Sequence, residues 1–161
     1  MRKATLLLAV FGLVGLLCAA DNPFIGTWKL NVAKSKFSQA YLALQKVAAP
    51  KEEMIVFREA GDQLELTATG TRTDGSPISS KSTRPAQGGA IKYQQGGPEG
   101  VTTILTVLEP GNSYTTSMRD GKQFQVGHAV ISKDGKALTV TYKGTDPQGK
   151  PFEQVIVFDK Q

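Results

Sequence analysis

The chain has 161 residues, with 19 Lys and Arg against 14 Asp and Glu, and a formal net charge of +5. The basic residues are scattered among acids, so they form no basic patch, and we expect no nucleic-acid partner. Cys18 is the only cysteine, which excludes a disulfide within this sequence and requires stabilisation by a packed core. With one histidine and one cysteine as strong ligands, we expect no metal site and no cofactor.

Residues 1–20 have the pattern of a secretory signal peptide. Arg2 and Lys3 precede a nearly continuous apolar run, and small residues follow that run up to Ala20. We predict cleavage after Ala20, which places the protein in the periplasm or outside the cell. Residues 21–161 then form a single domain without a membrane span.

Two other interpretations of this segment stay open. An uncleaved membrane anchor is disfavoured because the apolar run is short for a span and small residues and a turn follow it. A lipid anchor on Cys18 is disfavoured because Leu17, just before it, is bulkier than the small residue that such processing requires.

The rest of the chain reads mostly as strands. One short helix is predicted between the first two strands, with Ser38 as its N-cap and residues 39–48 as its body, ended by Pro50. The β-rich runs are Ile25–Val32, Met54–Glu59, Leu64–Thr71, Pro77–Thr83, Ala90–Gln94, Val101–Leu108, Ser113–Arg119, Gln123–Ser132, Ala137–Gly144 and Pro151–Asp159. Whether residues 84–100 form a strand or a loop is left open.

The turns between these runs are short and rich in glycine. Asp-Gly pairs and one Pro-Gly-Asn turn supply the positive φ angles that tight hairpins need. A meander of this kind buries its edges most simply by closing on itself. The sequence therefore predicts an all-β fold, an antiparallel up-and-down β-barrel of about 8–10 strands with a short helical segment between strands 1 and 2.

An internal repeat supports a barrel made of two similar halves. The pattern G-x-x-L-x-L-T-x-x-G-T-x-x-x-G-x-P runs from Gly61 to Pro77, and it recurs without a gap from Gly135 to Pro151 with Val at the second Leu position. Each unit predicts a strand, a turn, a second strand, a turn and a third strand. Units this short cannot bury their apolar faces alone, so they belong to one domain.

The first strand carries a resemblance to a known family. Residues 24–30 read F-I-G-T-W-K-L, which resembles the first strand of the lipocalin and fatty-acid-binding proteins, the calycins. The resemblance implies a ligand-binding β-barrel and is closest to a secreted bacterial lipocalin-like protein. Beyond these residues it is one of pattern.

Two departures limit what can be carried over. The fatty-acid-binding branch has a helical lid in this place, but its last strand binds the ligand carboxylate through R-x-[YF], and here Ile156 occupies the arginine position. That carboxylate clamp is absent, so fatty-acid binding is not carried over. Lipocalins share the signal peptide and the G-x-W pattern, but they usually add a disulfide and a C-terminal helix that this sequence lacks.

Period-two alternation selects the side chains expected to face the interior. Trp28 is expected to close the barrel floor, and Tyr41 lies on the helical lid. Either Phe57 or Arg58 faces inward, since strand neighbours point to opposite faces. The candidate ligand-binding residues are Trp28, Tyr41, Phe57, Arg58, Tyr114, Met118, Phe124, Val126, His128 and Tyr142.

No catalytic motif is present, so we expect a protein that is not an enzyme. His128 is the only histidine and lies among apolar residues, where a wall or core role is commoner than catalysis. The resulting hypothesis is an exported barrel that binds or sequesters a small apolar or amphipathic ligand. The alternative is a cell-envelope interaction or structural module with a filled barrel and no ligand. The sequence does not indicate the oligomeric state.

Overall fold

The computed structural model describes residues 22–161. The predicted signal peptide, the cleavage after Ala20 and the question of a lipid on Cys18 all lie outside the described residues. Within residues 22–161, no helix combines the length and the apolar character needed to cross a membrane.

The predicted fold class is confirmed: the chain is all-β, with antiparallel strands in a nearly closed barrel and one short α-helix after the first strand. The strands are β1 (Gly26–Leu30), β2 (Pro50–Ala60), β3 (Gln63–Arg72), β4 (Pro77–Pro85), β5 (Gly89–Ala90), β6 (Lys92–Gln95), β7 (Val101–Glu109), β8 (Asn112–Arg119), β9 (Lys122–Ile131), β10 (Ala137–Thr145) and β11 (Pro151–Lys160). The described chain has one strand more than the upper end of the prediction, because residues 89–95 form two short strands rather than one.

The helical segment is shorter than predicted. A 3₁₀ turn at Val32–Lys34 precedes α1, which spans Gln39–Gln45. Ser38 caps α1 as expected, because its hydroxyl accepts a hydrogen bond from the backbone N–H of Tyr41 at 3.4 Å. The helix ends where Lys46 adopts the left-handed conformation with φ of 54°, ahead of the predicted stop at the proline that opens β2.

The first and last strands close most of the barrel. β1 pairs with β11 on one side and with β2 on the other, and the register places Trp28 beside both Ile55 and Lys160. After β1, the chain continues along the edge of β11, where the N–H of Val157 donates to Ser35 Oγ at 3.0 Å. Residues that follow β1 therefore cover part of the last strand.

The pairing of the long strands is interrupted at one place in the barrel wall, between β4 and β7, which we call the seam. Two short strands bridge it. β5 pairs with β7 and β6 pairs with β4, and these two short strands are the ends of the sheet order. The linking residue Ile91 donates its N–H to the carbonyl of Thr103 on β7 at 2.9 Å. Residues 89–95 therefore cross the seam from β7 to β4, and β4 lies next to β7 around the wall.

Trp28 is the centre of the core at one end of the barrel. It is 0 % exposed, and its Nε1–H donates to the carbonyl of Phe24 at 2.8 Å. The ammonium of Lys160 lies 5.0 Å from the centroid of the indole ring and covers it from outside. The buried residues of this cluster are Trp28, Leu30, Ile55, Phe57, Ala68, Leu138 and Phe158.

The internal repeat corresponds to two similar three-stranded units, β2–β3–β4 and β9–β10–β11. Gly70 and Gly144 occupy the same place in the two units. A Cβ at Gly70 would lie within van der Waals overlap of the carbonyl oxygen of Glu52, and one at Gly144 would overlap that of Phe124. Glycine is required at both positions because a neighbouring strand's backbone passes too close for any side chain.

Candidate ligand-binding site

The barrel encloses a cavity of about 570 Å³, which we call the lumen. This volume falls within the range of about 300–1,000 Å³ that is typical of small-ligand pockets. The residues that line it come from α1 and from most of the strands. Because they occupy alternate strand positions, they belong to the inward face of the barrel.

One side of the lumen is apolar. It is formed by β2, β3, β10 and β11, which adjoin β1 and the Trp28 cluster. The apolar lining residues on these strands are Ile55, Phe57, Leu66, Ala68, Leu138, Val140, Ile156 and Phe158. This wall gives a ligand's apolar body a surface on which to displace water.

The opposite side of the lumen is polar. It is formed by the neighbouring strands β7, β8 and β9 and by β4, which lies on the other side of the seam. The hydroxyl and amide residues that line it are Ser80, Ser82, Thr103, Ser113, Thr115, Ser117 and Gln125. Thr103 Oγ1 and Ser117 Oγ lie 3.3 Å apart and share a hydrogen bond.

Three polar atoms of this region have no hydrogen-bond partner among residues 22–161: Ser82 Oγ, Arg84 Nε and Gln125 Oε1. Ser82 is 2 % exposed and Gln125 is 6 % exposed. An unpartnered buried polar atom costs free energy, so such atoms are uncommon in a finished core. All three residues line the lumen, so ligand groups or water in the cavity are the partners within their reach.

Arg84 brings a positive charge into the barrel. Its guanidinium carbon lies 5.3 Å from the centroid of the Phe57 ring, and burial lowers the pKa of the group from its usual value. The ion pairs found in the described part of the chain are Lys34–Asp159, Lys81–Glu65 and Lys143–Glu153. Arg84 therefore has no carboxylate among these residues within 4.0 Å.

Aromatic side chains cover the lumen at the end where α1 lies. The rings of Tyr41 and Tyr142 stack, and the ring of Phe152 meets Tyr41 edge-on. Burial raises the pKa of Tyr142 to about 12, and the nearby Tyr93 adds to the increase. Burial likewise raises the pKa of Tyr41. Both phenols are therefore neutral near pH 7 and act as hydrogen-bonding groups rather than as charges.

Glu53, Glu99 and Arg72 are the charged residues that line the lumen at this end. Burial raises the pKa of the Glu53 carboxyl, and Arg72 opposes that increase. The guanidinium of Arg72 also donates to the carbonyl of Pro77.

Four of the sequence-predicted site residues lie on the lumen wall: Tyr41, Phe57, Phe124 and Tyr142. Trp28 does not line the cavity, because other side chains cover it completely and leave it 0 % exposed. The choice between Phe57 and Arg58 is resolved by burial, since Phe57 is 4 % exposed and Arg58 is exposed on the outer face of β2.

The predicted inward faces of β8 and β9 were wrong. Tyr114, Met118, Val126 and His128 are not lumen residues, and the alternate positions face inward instead. His128 stacks on Tyr114 with ring centroids 4.2 Å apart, and its Nε2 lies 2.9 Å from Asn112 Oδ1. The physical reason is that the lumen wall on these strands is polar, so the more apolar face of each strand points outward.

Phe124 lines the lumen for a different reason. A β-bulge shifts the register between Ser117 and Met118, where Gln125 pairs with Ser117 and Gln123 pairs with Met118. Phe124 lies at that irregularity, and both Phe124 and Gln125 line the cavity.

Sequence analysis missed Arg84, Ser82 and Gln125. Ser80, Ser82 and Arg84 are spaced by two along β4, which places them on one face, and that spacing was the available signal. Their polarity made this face look like the solvent side. Among residues 22–161, no group of three or more His, Cys, Asp and Glu side chains is arranged to hold a metal ion.

No protein-family model matches the chain, and no curated protein matches it. Solved structures do match. The zebrafish ileal bile acid-binding protein complexed with cholic acid superposes with a TM-score of 0.53 and 15 % identity, over 86 % of this chain and 99 % of that chain. The chain therefore has the same fold as the zebrafish protein, and this fold is the β-barrel that the resemblance of the first strand to the calycins implied.

Two further structures show weaker similarity. The siderocalin Ex-FABP has a TM-score of 0.38 and 14 % identity over 86 % of this chain and 71 % of that one. Apocrustacyanin C1 has a TM-score of 0.45 and 13 % identity over 90 % of this chain and 64 % of that one.

Proposed function

We propose that this chain is an exported, non-enzymatic barrel that binds a small amphipathic anion in its lumen. The observation that carries the proposal is Arg84, a guanidinium inside the lumen with an unpartnered Nε and no carboxylate within 4.0 Å among residues 22–161. Leaving a buried charge without a counter-charge is costly, and an anionic ligand group supplies one.

The two walls of the lumen define the rest of the ligand. Its apolar body lies against β2, β3, β10 and β11, and its polar groups or accompanying water face Ser82 and Gln125 on the other side. The zebrafish protein of this fold was solved in complex with cholic acid, an amphipathic anion, which is a precedent for this kind of occupant. The absence of a catalytic motif in the sequence supports a binding role.

Arg84→Gln tests the proposal, with Arg58→Gln as the matched control on the outer face of the barrel. The probe is 1-anilinonaphthalene-8-sulfonate, which carries apolar rings and one sulfonate, and its fluorescence is titrated against each protein. We expect Arg84→Gln to weaken binding by about 10- to 100-fold, the usual effect of losing a charge-assisted hydrogen bond. Arg58→Gln should stay within about twofold of wild type.

Equal affinities for wild type and Arg84→Gln would show that the lumen does not bind the anion as proposed. Native mass spectrometry of protein purified from its own host is the second measurement, and it should reveal a co-purifying small molecule. The alternative of a filled interaction module required an interior without a cavity above about 300 Å³. The lumen of about 570 Å³ does not favour that alternative.

Export is tested separately. Mass determination of the protein recovered from the periplasm or the medium should give a chain that begins at residue 21, as the signal-peptide pattern predicts. A chain retaining residues 1–20, or one carrying a lipid on Cys18, would contradict the predicted processing.

A further inference from the structure

A second cavity, of about 490 Å³, lies at the end of the barrel away from α1, and we call it the vestibule. It is bounded by the N-terminal residues 22–24, by residues 85–87 after β4 and by the turn between β7 and β8. Val107 and Leu108 lie at this cavity and are 38 % and 58 % exposed. Apolar side chains exposed at a concave surface favour contact with an amphipathic molecule.

The lumen and the vestibule adjoin. Phe24, Phe57, Arg84 and Ser113 line both cavities. The ring centroids of Phe24 and Phe57 lie 5.7 Å apart, and the Trp28 indole N–H donates a hydrogen bond to the carbonyl of Phe24. Arg84 is therefore placed at the junction of two cavities rather than at the closed end of one.

The charged groups of the vestibule have a definite order. Arg84 is at the inner end, and the other charged residues lining this cavity are Glu59 and Glu109. Both glutamates are exposed, and neither has a Lys or Arg within 4.0 Å among the described residues. Glu109 Oε1 accepts one hydrogen bond, from Asn112 Nδ2 at 3.2 Å. From the apolar wall of the lumen outward, the lining thus passes through the positive Arg84 to the negative Glu59 and Glu109.

We infer that the ligand is a zwitterionic single-chain amphiphile, with its tail in the lumen, its anionic group at Arg84 and its cationic head group in the vestibule beside Glu59 and Glu109. The inference rests on the proposed function and adds the head group to it. A ligand whose tail is followed by an anionic group and then by a cationic group is complementary to the order of side chains in the two cavities. Alkylphosphocholines and lysophospholipids have this order, whereas a fatty acid ends at its anion.

The test compares dodecylphosphocholine with dodecyl phosphate, which share the tail and a phosphate group; dodecyl phosphate lacks the cationic head and carries a second ionisable phosphate oxygen. Each competes with 1-anilinonaphthalene-8-sulfonate below its micelle concentration. The double variant Glu59→Gln, Glu109→Gln removes the negative charge of the vestibule. The matched control is Glu52→Gln, Glu153→Gln, at exposed positions that do not line either cavity.

We expect the vestibule variant to bind dodecylphosphocholine about three- to tenfold more weakly, the size of two partly exposed ion pairs. Its affinity for dodecyl phosphate should be unchanged or higher, because a repulsion is removed, and the control variant should resemble wild type. If the vestibule variant changes both affinities alike, the head-group assignment is wrong and the proposed function stands. If neither amphiphile nor the sulfonate probe binds wild type, both proposals are wrong.

Discussion

The phenol ring of Tyr41 on α1 stacks on that of Tyr142 on β10, with ring centroids 5.5 Å apart and planes inclined by 17°. The ring of Phe152 on β11 lies 5.5 Å from Tyr41 on another side, at 63°. One side chain of the helix therefore contacts two neighbouring strands at the lumen end. This arrangement fixes the position of α1 over the barrel.

Tyr41→Ala should loosen that end of the barrel. Removing a largely buried ring and two aromatic contacts should lower the free energy of unfolding by about 1–3 kcal/mol in urea denaturation. The sulfonate probe should also dissociate faster in stopped-flow measurements, because α1 no longer covers the lumen. Tyr41→Phe keeps both ring contacts and is the control. If the probe dissociates from Tyr41→Ala as slowly as from wild type, α1 does not restrict its exit from the lumen.

Arg84→Met should raise stability while lowering affinity. Arg84 is half-buried beside Phe57, its Nε is buried without a partner, and its guanidinium has no carboxylate partner among residues 22–161, so desolvation of its charge opposes folding of the ligand-free protein. An apolar side chain of similar length removes that penalty, and we expect a gain of about 1 kcal/mol in the free energy of unfolding. Denaturation of delipidated protein gives the stability, and probe titration gives the affinity. A loss of stability would show that Arg84 is structurally required.

Glu53 should make stability fall as the pH rises through the weakly acidic range. Burial raises the pKa of its carboxyl in the folded state, so the folded protein holds a proton that the unfolded chain has already lost. Stability then decreases between the ordinary glutamate pKa of about 4.3 and the higher folded value. Glu53→Gln should remove this decrease and be the more stable protein at pH 7, with the two converging below about pH 4.

The control for Glu53→Gln is Glu52→Gln, at the neighbouring exposed position on β2. Urea denaturation of all three proteins at several pH values between about 4 and 7 makes the comparison. The same pH dependence in wild type and in Glu53→Gln would contradict the assignment to Glu53.

Trp28→Phe should lower the stability of the protein without changing its affinity for the probe. The indole is 0 % exposed and donates a hydrogen bond to Phe24, but it does not line the lumen. We expect a loss of about 1–3 kcal/mol in the free energy of unfolding, from lost volume and the lost hydrogen bond. Probe affinity, measured where the variant is fully folded, should change by less than about twofold. A larger change would give Trp28 a direct role in binding.

His128→Ala and Ser82→Ala test the corrected orientation of the strands. His128 lies on the outer face against Tyr114, so its removal should leave probe affinity unchanged. Ser82 lines the lumen with an unpartnered hydroxyl, so its removal should change probe affinity by about two- to tenfold. Binding becomes weaker if the probe hydrogen-bonds to that hydroxyl and tighter if it does not. An effect of His128→Ala larger than that of Ser82→Ala would support the original orientation.

The positions of most strands could be read from local sequence because their turns are local chemistry. Gly61, Gly75, Gly135 and Gly149 all have positive φ angles, as the predicted turns require. The same locality explains the cap of α1, where Ser38 is within three residues of the backbone group it binds. The predicted elements differ from the observed ones at their end residues and at residues 89–95, where two short strands replace one predicted strand.

The inward faces of β8 and β9 could not be read in the same way. The usual assumption is that the more apolar face of a strand is buried, and it selected Tyr114 and His128. That assumption holds where the interior is a packed core, as around Trp28. It fails at the lumen, a cavity whose wall includes the polar residues Ser113 and Ser117. The β-bulge beside Ser117 then shifts the alternation again.

The sequence by itself determined the class of fold, the order of the strands and the tryptophan at the centre of the core, because turns, caps and alternation act over a few residues. Only the tertiary structure decided that Arg84 is an interior cation and that Arg58 is an exterior one. Each depends on which face of its strand closes onto the lumen, and closure joins residues that are far apart in the chain. The position of Arg84 between two cavities depends on the same long-range closure.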